Sequence, residues 1–238
     1  MSTELTLSTA EGPMRAAEAA PTGAPRGAVV VVQEAFGLND HVAGLTDRLA
    51  AAGFHTIAPA FFHRAGDPDP VFAYDNFQGL MPVMGALTSE GIGADLAASY
   101  DHLASKGFAK ASTGIVGFCM GGTVSLWAGV EDTLGAAVTF YGGGVSQGRF
   151  GMPPLVEIAP TLKTPWLGLF GDQDKGIPVD DVEALRTAAA KASVPTEVVR
   201  YAEADHGFNC DERPSFHPAS AADGWQRTLD FFTAHLGG

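Results

Sequence analysis

The chain is poor in cysteine, in positive charge and in long apolar runs, and each shortage excludes something. Cys119 and Cys210 are its only cysteines in 238 residues, so no disulfide framework is available and the expected location is the reducing cytoplasm. No Cys-x-x-Cys or His-x-x-x-His spacing occurs, which argues against a metal site. Lysine and arginine together number 14 against 27 acidic residues, a net charge of −13. That balance excludes nucleic acid and anionic membrane as partners and leaves a small-molecule substrate, and any anion would have to be met by locally placed arginine or a helix terminus. No segment reaches the roughly 18 apolar residues of a membrane span, and Met1 to Thr9 lacks the basic start of a signal peptide. The expectation is a soluble monomer or small homo-oligomer.

What the chain has is enough apolar residue, 46%, to fill the core of one domain over residues 1–238. Leu5-Thr6-Leu7 and Met14 to Ala20 read as two short edge strands. Ala28 to Gln33 is a β-branched run of the kind buried on both faces of a sheet. Val42, Leu45 and Leu49 then mark one face of a helix, with Asn39 or Asp40 as its cap. His55 to Pro59 is a strand, and Ala60 to Thr88 is an irregular stretch long enough to be a lid or wall. Ile92, Leu96, Tyr100 and Leu103 form a second helix face, followed by a strand over Thr113 to Val116 and a helix from Thr123. Ala136 to Tyr141 is a strand ending in Gly142-Gly143-Gly144, and a proline-rich excursion covers Ser146 to Pro160. Trp166 to Phe170 and Glu197 to Tyr201 are strands around a helix begun by Pro178, and Trp225, Leu229, Phe232 and Leu236 outline a closing helix. Strands alternating with helices give an α/β fold: a mostly parallel sheet, helices on both faces, ligands at the carboxyl ends of the strands.

Gly117-Phe118-Cys119-Met120-Gly121-Gly122 stands between a strand and a helix. Small residues around the turn force its middle residue outward, the mechanics of a nucleophile elbow with cysteine in place of serine. The plain alternative is a glycine-rich turn carrying a buried thiol. Position decides between them, because Glu34, Cys119, Asp174 and His206 each follow a different strand and so converge on one end of the sheet. In that order they suit a nucleophile, an acid and a histidine. Cys119 would attack a carbonyl carbon, His206 would move its proton and later activate water, and Asp174 would hold the imidazole tautomer. Asp172 is the alternative acid if the turn register shifts. The N–H groups of Met120 and Ala35 would form the oxyanion hole. His41, His55, His63, His102, His217 and His235 read as surface or helix positions, and Cys210 as a packed thiol. Glu34 beside a thiol disfavours thiolate by like-charge repulsion, so it needs a cation, for which Arg213 is best placed. Arg213, Phe36 and Tyr141 are the expected substrate contacts.

These residues resemble the dienelactone hydrolases (carboxymethylenebutenolidases) of the α/β-hydrolase superfamily. The resemblance rests on Gln33-Glu34-Ala35-Phe36-Gly37, on the Gly117 to Gly122 elbow, on Gly171-Asp172-Gln173-Asp174 with Ile177-Pro178, on His206-Gly207-Phe208, and on Arg227 to Phe232. It runs from about Met14 to the end. It implies hydrolysis of a carboxylate-bearing enol-lactone to a keto-diacid such as maleylacetate, with no metal or organic cofactor. It also implies a gate, in which the substrate carboxylate competes for arginine and frees Glu34 to take the proton of Cys119. The family's second substrate arginine comes from the region before the second helix, where no lysine or arginine lies between Asp67 and Gly91, so Arg64 is the nearest candidate for that role. Two other functions fit less of the pattern: a broader carboxylesterase or thioesterase, with an apolar pocket from Phe61, Phe62, Phe72, Tyr74, Phe77 and Met81, and a non-catalytic ligand-binding relative.

Overall fold

The computed structural model describes residues 1–66 and 68–236 and, of Phe77, the backbone alone. Asp67 therefore lies outside the described residues, and so does the side chain of Phe77 expected in an apolar pocket. Eight strands form one sheet in the order β1-β2-β4-β3-β5-β6-β7-β8. They are β1 (Thr3–Thr9), β2 (Gly12–Ala19), β3 (Ala28–Val32), β4 (His55–Pro59), β5 (Thr113–Phe118), β6 (Ala136–Phe140), β7 (Trp166–Gly171) and β8 (Thr196–Tyr201). From β4 to β8 every pairing is parallel, whereas β1 and β2 run antiparallel. The α/β expectation holds.

The centre is built as its composition dictates. Val29, Val30, Val31 and Val32 are fully buried, and β5 and β6 are buried along their whole length. A valine or leucine moved out of water in this way contributes about 1.5–3 kcal/mol. Chain order reverses direction at β3, whose neighbours are β4 on one side and β5 on the other. Such a switch point opens a crevice at the carboxyl ends of the strands.

Helix α1 (Asp40–Ala51) buries Val42, Leu45 and Leu49, and Asn39 caps it by accepting the Val42 N–H. Helix α3 (Ser89–Ser105) buries Ile92, Leu96, Tyr100 and Leu103, and α4 (Met120–Glu131) follows the elbow. A one-turn α5 (Leu155–Ile158) interrupts the proline-rich excursion. Helix α6 (Val179–Ala189) follows Pro178, and α7 (Pro218–Leu236) closes the chain. In α7 the buried stripe is Ala221, Gly224, Thr228, Phe232 and Leu236. It is rotated from the expected face because Gly224 lets the helix come close to Phe140. Trp225 instead stacks under the Arg48 guanidinium, 3.9 Å from the ring centre, which ties α7 to α1.

Two expectations need correction. Strand β2 is not an edge: it lies between β1 and β4. Its charged residues are paired: Arg15 makes a bidentate pair with Asp69 (2.7 and 2.9 Å). Glu18 accepts from His55 and His102 at 2.9 and 2.7 Å. Residues 60–88 are not irregular throughout either, since Phe77–Gly85 forms helix α2, with Asn76 accepting the Gly79 N–H. Gly79, Pro82 and Gly85 are poor helix formers. What holds α2 is tertiary packing: Leu80 is buried against Ala35 and Phe36, so the helix covers the turn that carries Glu34.

Candidate active site

Strand β5 delivers Cys119 at φ 54°, ψ −112°, a conformation that costs a non-glycine residue about 1–3 kcal/mol. Close packing imposes it. A Cβ on Gly117 would lie 1.8 Å from the Gly121 carbonyl oxygen, and one on Gly121 would lie 2.4 Å from that of Val32. Backbone thus meets backbone where β5 turns into α4, and Cys119 is pushed outward, half-buried. Among the described residues neither the Met120 N–H nor the Ala35 N–H has an acceptor.

The loop after β7 places Asp174, 5% exposed. One of its oxygens accepts the Gly176 N–H at 2.8 Å, and the other pairs with His206 Nδ1 at 2.6 Å. The second ring nitrogen of His206 is left unengaged by Asp174, and His206 and Cys119 line the same cavity. Burial works against a charged imidazole here, but negative charge on Cys119 and the hydrogen bond to Asp174 outweigh it, and the His206 pKa is pushed up to about 10. Asp172 points elsewhere, held by Arg200 at 2.7 and 2.8 Å. The geometry therefore brings Asp174, not Asp172, to the histidine.

On one side of Cys119 the site is sealed. Glu34 is 2% exposed; Arg213 Nη1 approaches its Oε1 at 3.5 Å, and among the described residues its Oε2 has no hydrogen-bond partner. The same holds of the Tyr141 hydroxyl, buried near Glu34. Burial and then the Glu34 charge push the Tyr141 phenol well above its ordinary pKa. The Arg213 pKa rises, because Glu34 and Cys119 outweigh the desolvation that opposes it. Arg213 also lies 5.6 Å from the Phe36 ring, and Phe36 packs edge-on to Tyr74 at 4.6 Å. Cys210 donates to the Tyr74 hydroxyl at 3.3 Å; burial pushes its thiol up to about 11, which suits a packed thiol.

On the other side a cavity of about 620 Å³ opens over Cys119, His206 and Asp174. Its rims are residues 143–149 and 174–178, and Arg149, Lys175 and Asp181 also line it. Arg213, Phe36 and Tyr141, the expected substrate contacts, do not line this cavity. Arg149 and Lys175 were not singled out by sequence. The only signal near them was the glycine run 142–144 leading into the proline-rich excursion.

Several further expectations are relocated. Arg64 does not approach Cys119: it holds the buried Asp95 at 2.7 and 2.8 Å and also pairs with Glu11. His55 is buried and paired with Glu18, and the side chain of half-buried His63, 4% exposed, pairs with Asp95; neither is an open surface position. Phe61 and Phe62 line a separate cavity of about 200 Å³ with Val83, Leu87 and Ile92. Phe72 packs on Phe62 at 6.2 Å, and Met81 is exposed. Among the described residues no group of three or more His, Cys, Asp or Glu is gathered as for a metal ion. No described helix is long and apolar enough to cross a membrane.

A family model described as the dienelactone hydrolase family matches residues 14–236. A protein of Escherichia coli K12 named "Putative carboxymethylenebutenolidase" is 38% identical over 221 residues, 90% of this chain and 79% of its own. A crystal structure from Klebsiella pneumoniae, described as a "Putative Dienelactone Hydrolase", is 37% identical over 98% of both chains with a TM-score of 0.87. At 22% identity and a TM-score of 0.79, over 98% of both chains, a dienelactone hydrolase-like promiscuous phosphotriesterase from metagenomic libraries shares the fold.

Proposed function

The chain belongs to the dienelactone hydrolase family, and from that premise we propose that it is a carboxylic ester or lactone hydrolase acting through Cys119, His206 and Asp174. The observation that carries this reading is the strained Cys119 standing over a 2.6 Å His206–Asp174 pair at the floor of an open cavity.

In the proposed reaction the Cys119 thiol proton passes to Glu34, which returns it when the sulfur is released; the sulfur attacks the substrate carbonyl carbon as thiolate, and the C=O electron pair moves onto oxygen. The unpartnered N–H groups of Met120 and Ala35 receive that oxyanion. Collapse breaks the bond to the ester or lactone oxygen, which regains a proton from the His206 imidazolium, leaving a thioester on Cys119. Neutral His206 then takes a proton from water, and the hydroxide formed attacks the thioester. The carboxylic acid leaves, and Cys119 is restored. Asp174 keeps the imidazole oriented and stabilises its charged form.

Glu34 has the setting of the gate that the family implies. It is a carboxylate sealed beside the thiol, with one oxygen on Arg213 at 3.5 Å and the other unpartnered. A substrate carboxylate drawing on Arg213 would free Glu34 to accept the Cys119 proton. Dienelactone is the substrate the family name suggests, with a keto-diacid of the maleylacetate type as product. Phe61, Phe62 and Phe72, which would have helped form a broad apolar esterase pocket, pack away from the cavity.

A substrate panel of cis- and trans-dienelactone, 4-nitrophenyl esters and acyl thioesters, run on the wild type and Cys119→Ala, tests the proposal. Loss of about 10⁴-fold or more in kcat is expected for the alanine variant. Activity retained by it would remove Cys119 as the nucleophile.

A further inference from the structure

Arg149 differs from every other arginine in the chain. Arg15, Arg64, Arg186, Arg200, Arg213 and Arg227 are in ion pairs. Arg26 and Arg48 lie over the rings of Phe54 and Trp225. Arg149 has neither a carboxylate nor a ring among the described residues, although acidic residues outnumber basic ones 27 to 14. It stands exposed in the catalytic cavity, and Lys175, also without an ion pair, stands on the other rim.

The placement of Arg149 is built in. A Cβ on Gly143 would lie 2.7 Å from Arg149 Nη1 and 3.4 Å from Cζ, so the guanidinium occupies the space that a side chain at 143 would need. Beneath it the Gly143 carbonyl is held by the buried Thr123 hydroxyl at 2.8 Å. Phe150, the next residue, adopts φ 54°, the left-handed region, which needs support from its surroundings in a non-glycine residue. Two carboxylates also line the cavity, and both are engaged: Asp174 by His206, and Asp181 by the Ser146 hydroxyl at 2.8 Å.

We propose that Arg149 and Lys175 form an anion subsite at the mouth of the cavity, distinct from Arg213, that recognises a carboxylate carried on a distal arm of the ester or lactone. The proposal deepens the hydrolase reading and rests on it for the identity of the reacting group. An approaching anion meets Arg149 and Lys175 in the open cavity, whereas Arg213 is sealed and already shared with Glu34. The planar fork of arginine suits bidentate capture of carboxylate, and in a chain of net charge −13 this local pair of cations is what offsets the repulsion an anionic substrate would otherwise meet.

The test compares 4-nitrophenyl hydrogen glutarate, which carries a free carboxylate, with uncharged 4-nitrophenyl butyrate. Arg149→Gln is expected to raise the KM for the charged ester about tenfold relative to the neutral one, with the smaller change in kcat. Lys175→Gln should do the same by about threefold, Arg149→Lys should recover part of the loss, and Gly143→Ala should imitate Arg149→Gln by displacing the guanidinium. Equal KM changes for both esters, or none, would overturn the subsite. If the wild type hydrolyses neither these esters nor any member of the dienelactone and thioester panel, the hydrolase reading fails while the subsite is still read by nitrogen-15 NMR. Glutarate titrated into Cys119→Ala should move the Arg149 Nε–H signal saturably and be displaced by about 0.5 M salt; an unmoved signal would refute the subsite.

Discussion

The two sides of Cys119 handle charge in opposite ways. Toward Glu34 the site is closed: a carboxylate 2% exposed, an arginine 3.5 Å away and an unpartnered tyrosine hydroxyl lie beneath the wall made by α2. Toward residues 143–149 and 174–178 it is open, and among the described residues Arg149 and Lys175 there are in no ion pair, the two carboxylates of the cavity being engaged by His206 and Ser146. A buried charge must be paired within the protein, because an unpaired one costs several kcal/mol. An exposed charge at a cavity mouth is solvated and free to pair with something that arrives. The sealed side is therefore suited to controlling the state of the nucleophile, and the open side to selecting what reaches it.

The largest expected effect lies between the two sides, at the histidine they share. Asp174→Asn should lower kcat by about 10³–10⁴-fold, while Asp172→Asn, whose carboxylate is engaged by Arg200, should cost far less; a larger loss at Asp172 would reverse the assignment. The same variant has a pH signature. With His206 pushed up to about 10, the imidazolium that protonates the leaving group persists through neutral pH and is lost as pH rises through that value. The rate should fall on its alkaline side near pH 10, as an apparent value belonging to the Cys119–His206 pair. Removing the Asp174 charge withdraws support from the protonated imidazole, so the alkaline fall should move to lower pH. A fall that stays in place would show that Asp174 does not act on His206.

Next in size is the contrast in stability. Arg213→Met leaves Glu34 buried without its cation, and urea unfolding should show a loss of about 3 kcal/mol. Adding Glu34→Gln should recover part of it. Arg149→Gln, on the open side, should stay within about 0.5 kcal/mol of wild type. Equal losses at the two arginines would erase the distinction between the sides. Smaller still, Glu34→Gln should slow turnover of carboxylate-bearing lactones more than that of neutral esters, and equal slowing of both would count against substrate-triggered release of Glu34.

The strand ends that carry the reacting groups were more legible in the sequence than the open rim. Glu34, Cys119, Asp174 and His206 each follow a recognisable strand, and the glycines at 117 and 121 mark the elbow because backbone packing there admits nothing larger. Helix faces such as Val42, Leu45 and Leu49 were legible for the same reason: burial imposes a period on neighbours in sequence. What escaped depends on partners far apart in the chain. The inner place of β2 escaped because Asp69, His55 and His102 are brought to Arg15 and Glu18 only by folding. Helix α2 escaped because its glycines and proline carry no helical preference and Leu80 finds its support on Phe36. Arg149 escaped because nothing near it in sequence tells that its loop folds back over Gly143.

The account turns on Cys119 as the group that becomes acylated. Wild-type protein mixed with 4-nitrophenyl acetate, quenched in acid within the first turnover and digested, should show one acetyl group on the peptide containing Cys119, with slower loss of that label in Asp174→Asn. An acetyl group on the Cys210 peptide instead, or none on Cys119 while nitrophenol is released in a burst, would contradict it.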